Sequence, residues 1–292
     1  MTAVAEVVTD ARALSRRRAR RRLLARPLSV AGLIGVVIAV LLAAFAAVIA
    51  PYDPAATNYD QILQGPHAGH LLGTDQLGRD TLSRMLYGAR ASLAAGVLST
   101  LLATVVAVPI GLIAGYYRKW LDPVISRLVD VVLAFPFLII AVGLAAIFGP
   151  SLSNAILALG IGQVPGVVRV VRGEVLAQRE LEYVQAETVN GTPDRVILFR
   201  HILPNVLNPI VVQASVAIPT AIVGAATLSF LNLGVQPPTA DWGTMLADAQ
   251  HYLSLAPWLG VFPGVAIFLT TLSFNLFGDG VRDALDPRST TP

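Results

Sequence analysis

Uncharged apolar stretches alternate with shorter polar segments along this chain of 292 residues. A helix of about 20 apolar residues is needed to cross the roughly 30 Å hydrocarbon layer of a membrane. Six stretches without a charged residue come near that length or exceed it, and they are 29–49, 92–114, 131–148, 152–168, 206–231 and 258–277. The pattern therefore predicts an all-α membrane protein with six transmembrane helices.

Prolines lie inside most of these predicted spans. Each proline removes a backbone donor and bends its helix, which a membrane bundle tolerates when neighbouring groups satisfy the freed carbonyls. The prolines concerned are Pro109, Pro136, Pro165, Pro209, Pro219 and Pro263. We therefore expect a bundle of bent helices.

The composition agrees with a membrane protein, since 55% of the residues are apolar and only 13% are charged. The chain has no cysteine, which excludes disulfides, thiolate metal sites and a cysteine nucleophile. Its single lysine, Lys119, lies outside any Gly-x-x-x-x-Gly-Lys pattern, so no ATP-binding loop is expected. The four histidines lack metal-ligand spacing. We predict no catalytic residue, metal or cofactor in this chain, and hence no enzyme.

Basic residues divide unequally between the two sets of loops that six spans create. Eighteen of the 21 lie in the set that includes both termini, and the other set holds only Arg79, Arg84 and Arg90. Because basic residues favour the cytoplasmic side of a membrane, we expect both termini in the cytoplasm.

The first 50 residues combine a basic tail with an apolar stretch. A cleaved secretory signal is the alternative to a membrane anchor, but the apolar part is too long and Pro51 follows it directly. We expect the tail, residues 1–28, to lie against anionic membrane lipid. Nucleic-acid binding is not predicted, because no aromatic residue separates the arginines.

The six spans contain no charged residue. A gradient-driven secondary transporter would need a buried carboxylate or ion site in its spans, and a membrane hydrolase would need a nucleophile and a base there. The spans contain neither the buried carboxylate of a secondary transporter nor the nucleophile and base of a hydrolase, so neither alternative is predicted.

The longest loop of the arginine-rich set, residues 169–205, has the pattern of two short helices. Residues 174–189 read as helix, Asn190-Gly191 ends it, and Thr192-Pro193 begins a second helix that we expect to end at Pro204. Val196, Phe199 and Leu203 would share one face of this second helix. Such a helix either docks into a groove of a soluble partner or lies on lipid, and the pattern alone leaves both open.

Two stretches of this loop resemble the EAA motif of ABC-importer permeases: Glu-Tyr-Val-Gln-Ala-Glu-x-x-x-Gly at 182–191 and Arg-His-Ile-Leu-Pro-Asn at 200–205. Gln185 and Glu187 depart from the usual residues of the motif. The resemblance implies a coupling helix that inserts into the ATPase subunit. The coupling residues it implies are Gln185, Ala186, Glu187, Gly191, Arg195, Phe199, His201, Leu203 and Pro204.

Three further stretches, residues 70–80, 230–243 and 274–287, are similar to the C-type permease subunit of dipeptide and oligopeptide importers. This resemblance implies a type I ABC-importer permease fold in a bacterial plasma membrane. It also implies a second permease subunit in a heterodimer, two ATP-binding cassette subunits that bind ATP and Mg, and an extracytoplasmic substrate-binding protein. The expected substrates are di- or oligopeptides, with nickel or another small solute as the alternative.

The resulting domain scheme has five parts. The tail 1–28 precedes the first span 29–49, and an outer loop 50–91 follows. In that loop Leu82, Met85, Leu86 and Ala89 form an apolar stripe, which predicts an interfacial helix. The core permease domain covers 92–277, and residues 278–292 form a cytoplasmic C-terminus.

Overall fold

Helices make up almost all the regular structure of the computed structural model, which describes residues 23–285. In chain order they are α1 (Pro27–Ala44), α2 (Ala46–Ile49), α3 (Thr81–Tyr117), α4 (Leu121–Ala134), α5 (Phe137–Phe148), α6 (Leu152–Arg179), α7 (Glu182–Val189), α8 (Asp194–Val196), a π-helical segment (Ile197–Ile202), α9 (Leu203–Phe230), α10 (Trp242–Ala249) and α11 (Trp258–Leu285). Most of the predicted basic tail and the last residues of the predicted C-terminal part lie outside the described residues.

Among residues 23–285, five helical stretches are each long and apolar enough to cross a membrane: α1, α3, α6, α9 with the residues from Asp194 onward, and α11. The predicted span 131–148 corresponds to the helix pair α4 and α5, which meets the same criterion when taken together and is bent by 80°, so that the described residues give up to six spans. The break falls at Phe135-Pro136, because proline has no amide hydrogen and disfavours helical backbone at the residue before it. The remaining five prolines lie inside α3, α6, α9 and α11.

Successive crossings separate the loops into two groups, which we name by their residues. The 50–80 end carries the loop after α2 and the segment that contains α10. The 180–205 end carries the α3–α4 connection and the segment between α6 and α9. Bonds that join Arg118 to Glu180, and Arg90 to the Ala43 carbonyl, agree with this separation.

α3 is a single helix of 37 residues. The sequence predicted a separate interfacial helix ahead of a span at 92–114, but the structure joins the two. Asp80 is the N-cap of α3: its carboxylate accepts hydrogen bonds of 2.7 Å from both the amide and the hydroxyl of Ser83. The apolar stripe of the first turns packs on protein, since Ala89 lies in a buried cluster with Trp242 and Met245.

α3 and α6 approach closely through glycine. A Cβ atom on Gly111 would lie 2.7 Å from Cβ of Val171, and one on Gly115 would lie 2.7 Å from Cβ of Val175. Small residues four positions apart allow the backbone of one membrane helix to contact the side chains of another. Such contacts stabilise helix pairs in a bilayer, where the hydrophobic effect does not favour helix association. The close approach therefore fixes α3 and α6 against each other near the 180–205 end.

α1 packs against α11 in the same manner. A Cβ atom on Gly32 would lie 2.5 Å from the Phe277 amide nitrogen, and one on Gly280 would lie 2.4 Å from Oγ of Ser29. An ion pair between Arg26 and Asp283 closes the 180–205 end of this pair. The first and last described helices therefore lie side by side.

Charged side chains are buried at the 50–80 end. Asp75 accepts a hydrogen bond of 2.6 Å from Nε of Arg79 and lies 3.4 Å from Nε of Arg84. Arg79 also lies 3.8 Å from Asp248 of α10. Asp75, Arg79 and Arg84 are each at most 5% exposed, so the paired charges balance one another in a place where water does not reach them. This cluster ties the start of α3 to α10.

We expect the substitution Gly115→Val to lower the thermal stability of the purified chain by about 3 kcal/mol, because the added atoms overlap Val175 and the carbonyl of Arg172. Gly173→Ala on α6 is the matched control, since a Cβ atom there meets nothing within 4 Å. Thermal unfolding in detergent measures both variants. A Gly115→Val variant as stable as the control would contradict the close packing of α3 and α6.

Candidate functional site

The segment between α6 and α9, residues 180–202, projects from the 180–205 end and rests on a buried base. Val184 of α7 and Ile197, Leu198 and Ile202 of the π-helical segment are each at most 6% exposed. They belong to one apolar cluster that also contains residues of α3 and α6, among them Leu112, Val171 and Val175. Burial of these side chains fixes the segment to the membrane helices.

A glycine turn separates α7 from α8. Gly191 has φ +73°, a left-handed conformation that glycine adopts without steric cost. The Gly191 amide donates to the Thr188 carbonyl and the Thr192 amide donates to the Glu187 carbonyl, each at 3.1 Å, which is the Schellman pattern of helix ends. The Thr192 hydroxyl adds a hydrogen bond of 2.6 Å to the Glu187 carboxylate. The turn that the sequence predicted at Asn190-Gly191 is therefore present.

Two predicted helix boundaries are wrong. The predicted helix 174–189 is divided, because α6 ends at Arg179 and α7 begins at Glu182. The second helix does not end at Pro204 but continues through the π-helical segment into α9. Pro204 lies in the first turn of α9, and the wider π turn ahead of it accommodates the missing amide and the bulk of the ring.

The predicted apolar face of that second helix is not its buried face. Phe199 is 63% exposed, and Val196 and Leu203 are half-buried. Ile197 and Ile202 are buried instead. These two residues are five positions apart, a spacing that lies on one face of a π-helix but not of an α-helix. The predicted face of Val196, Phe199 and Leu203 therefore does not coincide with the buried face, which also includes Leu198.

The residues that the EAA resemblance singled out lie together on the surface of this segment. Gln185, Ala186, Gly191, Arg195, Phe199 and Pro204 are exposed, and Glu187, His201 and Leu203 are half-buried. Gln185 donates a hydrogen bond of 3.1 Å to the Glu180 carbonyl. The surface they form combines an exposed aromatic ring with polar groups, which is the usual composition of a protein-binding surface.

Side-chain bonds that sequence reasoning missed connect this segment to the helices around it. The Tyr183 hydroxyl donates to Gln178 Oε1 at 2.7 Å and accepts from Asn205 Nδ2 at 3.1 Å. These bonds join α7 to the end of α6 and to the first turn of α9. Within residues 23–285, no group of three histidine or acidic side chains is placed to hold a metal ion. The described segment thus combines a buried base with an exposed surface.

Comparisons with known protein families identify the class of protein. Residues 107–291 match the model of the binding-protein-dependent transport system inner membrane component. Residues 16–66 match the N-terminal transmembrane domain of oligopeptide transport permease C. The chain belongs to the family of inner-membrane permease components of binding-protein-dependent ABC importers.

Individual relatives narrow this family to the C-type subunits of the dipeptide and oligopeptide group. The dipeptide transport system permease protein DppC of Alkalihalophilus pseudofirmus is 46% identical over 93% of this chain and 90% of its own length. The glutathione transport system permease protein GsiD of Pectobacterium atrosepticum is 45% identical over 92% of this chain and 89% of its own length. The predicted family is thereby confirmed.

A solved structure confirms the fold. An inward-facing conformation of the MetNI methionine ABC transporter contains a chain that superposes with a TM-score of 0.58, covering 70% of this chain and 96% of that chain at 20% identity. This chain is thus a multi-pass protein of the plasma membrane and a non-catalytic subunit, which works with an ATPase and a substrate-binding protein.

We expect Gly191→Val to loosen the turn between α7 and α8, because a β-branched residue at positive φ costs about 1 to 2 kcal/mol. Gly191→Asn is the matched variant, since asparagine tolerates the left-handed region. Hydrogen–deuterium exchange of the 182–196 amides measures the effect. Equal protection in both variants would contradict the conformational role of Gly191.

Proposed function

We propose that this chain forms half of the translocation path of an ATP-driven importer of di- or oligopeptides, and that the 180–202 segment with the first turn of α9 is its contact with the ATPase. The proposed ATPase contact is supported by one observation: a single short segment has a buried base and an exposed surface. The peptide substrate is supported by the two relatives described above, which carry the names of dipeptide and glutathione permeases. Both names favour peptides over nickel.

The exposed surface of the segment has the chemistry of a helix that inserts into a groove. Phe199, at 63% exposed, offers the largest apolar group, and an aromatic anchor of this kind contributes most when a partner pocket encloses it. Arg195 and Gln185 would supply charge and hydrogen bonds at the rim, while Gly191 sets the direction of the chain between them. Glu187, His201 and Leu203 support this surface from half-buried positions, and Ala186 and Pro204 complete it.

The distribution of charge supports one orientation in the membrane. Within residues 23–285, ten of the 13 basic residues belong to the set of loops at the 180–205 end, and basic residues favour the cytoplasm. Both termini and the ATPase contact are then cytoplasmic, and the 50–80 end faces the substrate-binding protein. ATP and Mg would be bound by two partner ATPases.

A second permease subunit would complete the path. Exposed apolar side chains are spread over every long helix, as expected for surfaces that face lipid or another membrane helix. The C-type character of the N-terminal match favours a heterodimer with a partner of similar fold.

Reconstitution into liposomes tests the proposed function directly. We expect uptake of a labelled dipeptide only when this chain is combined with the partner permease, both ATPases, the binding protein and ATP. Leaving out the ATPases or ATP should abolish uptake. Sustained uptake by this chain alone would overturn the proposal.

We expect Phe199→Ala to weaken binding of the detergent-solubilised permease pair to its ATPase about 30-fold, the equivalent of roughly 2 kcal/mol for a buried aromatic anchor. Phe268→Ala on α11 is the matched control, because Phe268 is 61% exposed but lies far along the chain from the segment. Biolayer interferometry with immobilised ATPase measures both. Equal affinity of the two variants would remove Phe199 from the contact.

A further inference from the structure

Tyr116, in the last turn of α3, contacts both the segment and the end of α6. Its hydroxyl donates a hydrogen bond of 2.9 Å to Oδ1 of Asp194 in α8. Its carbonyl accepts a hydrogen bond of 2.6 Å from Nη1 of Arg179, the last residue of α6. The Arg179 guanidinium also lies 5.6 Å from the centre of the Tyr116 ring, within the range of a cation–π contact.

These contacts satisfy groups that would otherwise be unpaired. The carbonyls of the last helical turn have no partner inside the helix, and a basic side chain is a suitable donor for them. α3 stops abruptly here, since Arg118 and Lys119 follow with φ values of +50° and +24°. The Tyr116 ring itself is buried with Val184 and Ile197, so its position is fixed by packing while its hydroxyl reaches Asp194.

A cavity lies beside the contact of Tyr116 with Asp194 and Arg179. A cavity of about 310 Å³ is lined by Tyr116, Lys119, Trp120, Arg179, Thr188 and Asp194, among others. On this side the polar contacts between the segment and the end of α3 include the Tyr116–Asp194 hydrogen bond and the Arg118–Glu180 ion pair, and they lie next to this cavity. A force applied to α8 would reach α3 in part through the Asp194–Tyr116 bond.

α3 can carry such a force across the membrane. It is continuous over 37 residues, which corresponds to about 55 Å of helix. Its far end is bonded into the 50–80 end, where Ser83 meets Asp80 and Arg84 meets Asp75. One continuous helix therefore connects Tyr116 to the 50–80 end.

We infer that Tyr116, Asp194 and Arg179 are positioning residues that transmit movement of the ATPase contact into α3. This inference rests on the proposed function. None of the three needs to touch substrate or nucleotide for this role.

The complete reconstituted transporter tests the inference by the number of ATP molecules hydrolysed per dipeptide taken up. We expect Tyr116→Phe and Asp194→Ala each to raise this ratio at least fivefold, with ATPase affinity unchanged. Asp194→Asn should stay near the wild-type ratio, because an amide oxygen still accepts the tyrosine hydrogen bond. The double variant Tyr116→Phe/Asp194→Ala should be no worse than either single variant. Tyr59→Phe, an exposed tyrosine of the 50–80 end, is the control for loss of a hydroxyl.

A second measurement reports the movement itself. The chain contains no cysteine, so the purified chain can be spin-labelled at Val189→Cys and Trp120→Cys alone before it is assembled with its partners. We expect the distribution of distances between the two labels to be the same in the ATP-bound and the ATP-free transporter. In the Tyr116→Phe variant we expect this distribution to become broader when ATP is bound.

The outcomes separate the two proposals. If the number of ATP molecules hydrolysed per dipeptide is unchanged in Tyr116→Phe and Asp194→Ala, the transmission role is overturned. It is also overturned if both variants lose ATPase binding or assembly, because the contact would then be structural. Absence of ATP-dependent uptake in the wild-type complex instead overturns the proposed function, and the inference with it.

Discussion

The close contact of α3 and α6 through Gly111 and Gly115 is the constraint on which the rest of the structure depends. It brings Val171 and Val175 into the cluster that supports Val184 and Ile197. It also places the end of α6 beside the end of α3, where Arg179 meets Tyr116. Because the two glycines have no side chains, the helices approach closely enough for van der Waals contact. Within a membrane this contact stabilises the helix pair, whereas the core of a soluble protein is stabilised by the hydrophobic effect. The candidate site is therefore a consequence of helix packing within the bilayer.

The hydropathy of the sequence predicts the class and most of the spans, because a bilayer imposes one length and one polarity on every crossing. It could not show that 81–91 belongs to the same helix as 92–114. The groups that decide this are the Asp80 cap and the hydrogen bond from the Trp242 indole to the Met85 carbonyl, which joins residues 157 positions apart. Arg79 and Arg84 were predicted as loop charges for the same reason: only the folded chain brings Asp75 and Asp248 to them.

The candidate site was predictable where its signals are local. Asn190-Gly191 and Thr192-Pro193 mark a turn through backbone preferences that act within a few residues, and the turn is there. The EAA resemblance selected nine residues of the site, of which six are exposed and three are half-buried. Neither could reveal the hydrogen bond between Tyr116 and Asp194, which joins residues 78 positions apart, or the π-helical segment, whose period differs from the one assumed.

The unbroken course of α3 sets the angular phase between its two ends. Each residue of an α-helix advances about 100° around the axis. One added residue anywhere between Arg84 and Tyr116 would rotate these two side chains by that angle relative to each other, so that only one could keep its partner. The number of residues in α3 is therefore constrained by the contacts at its two ends.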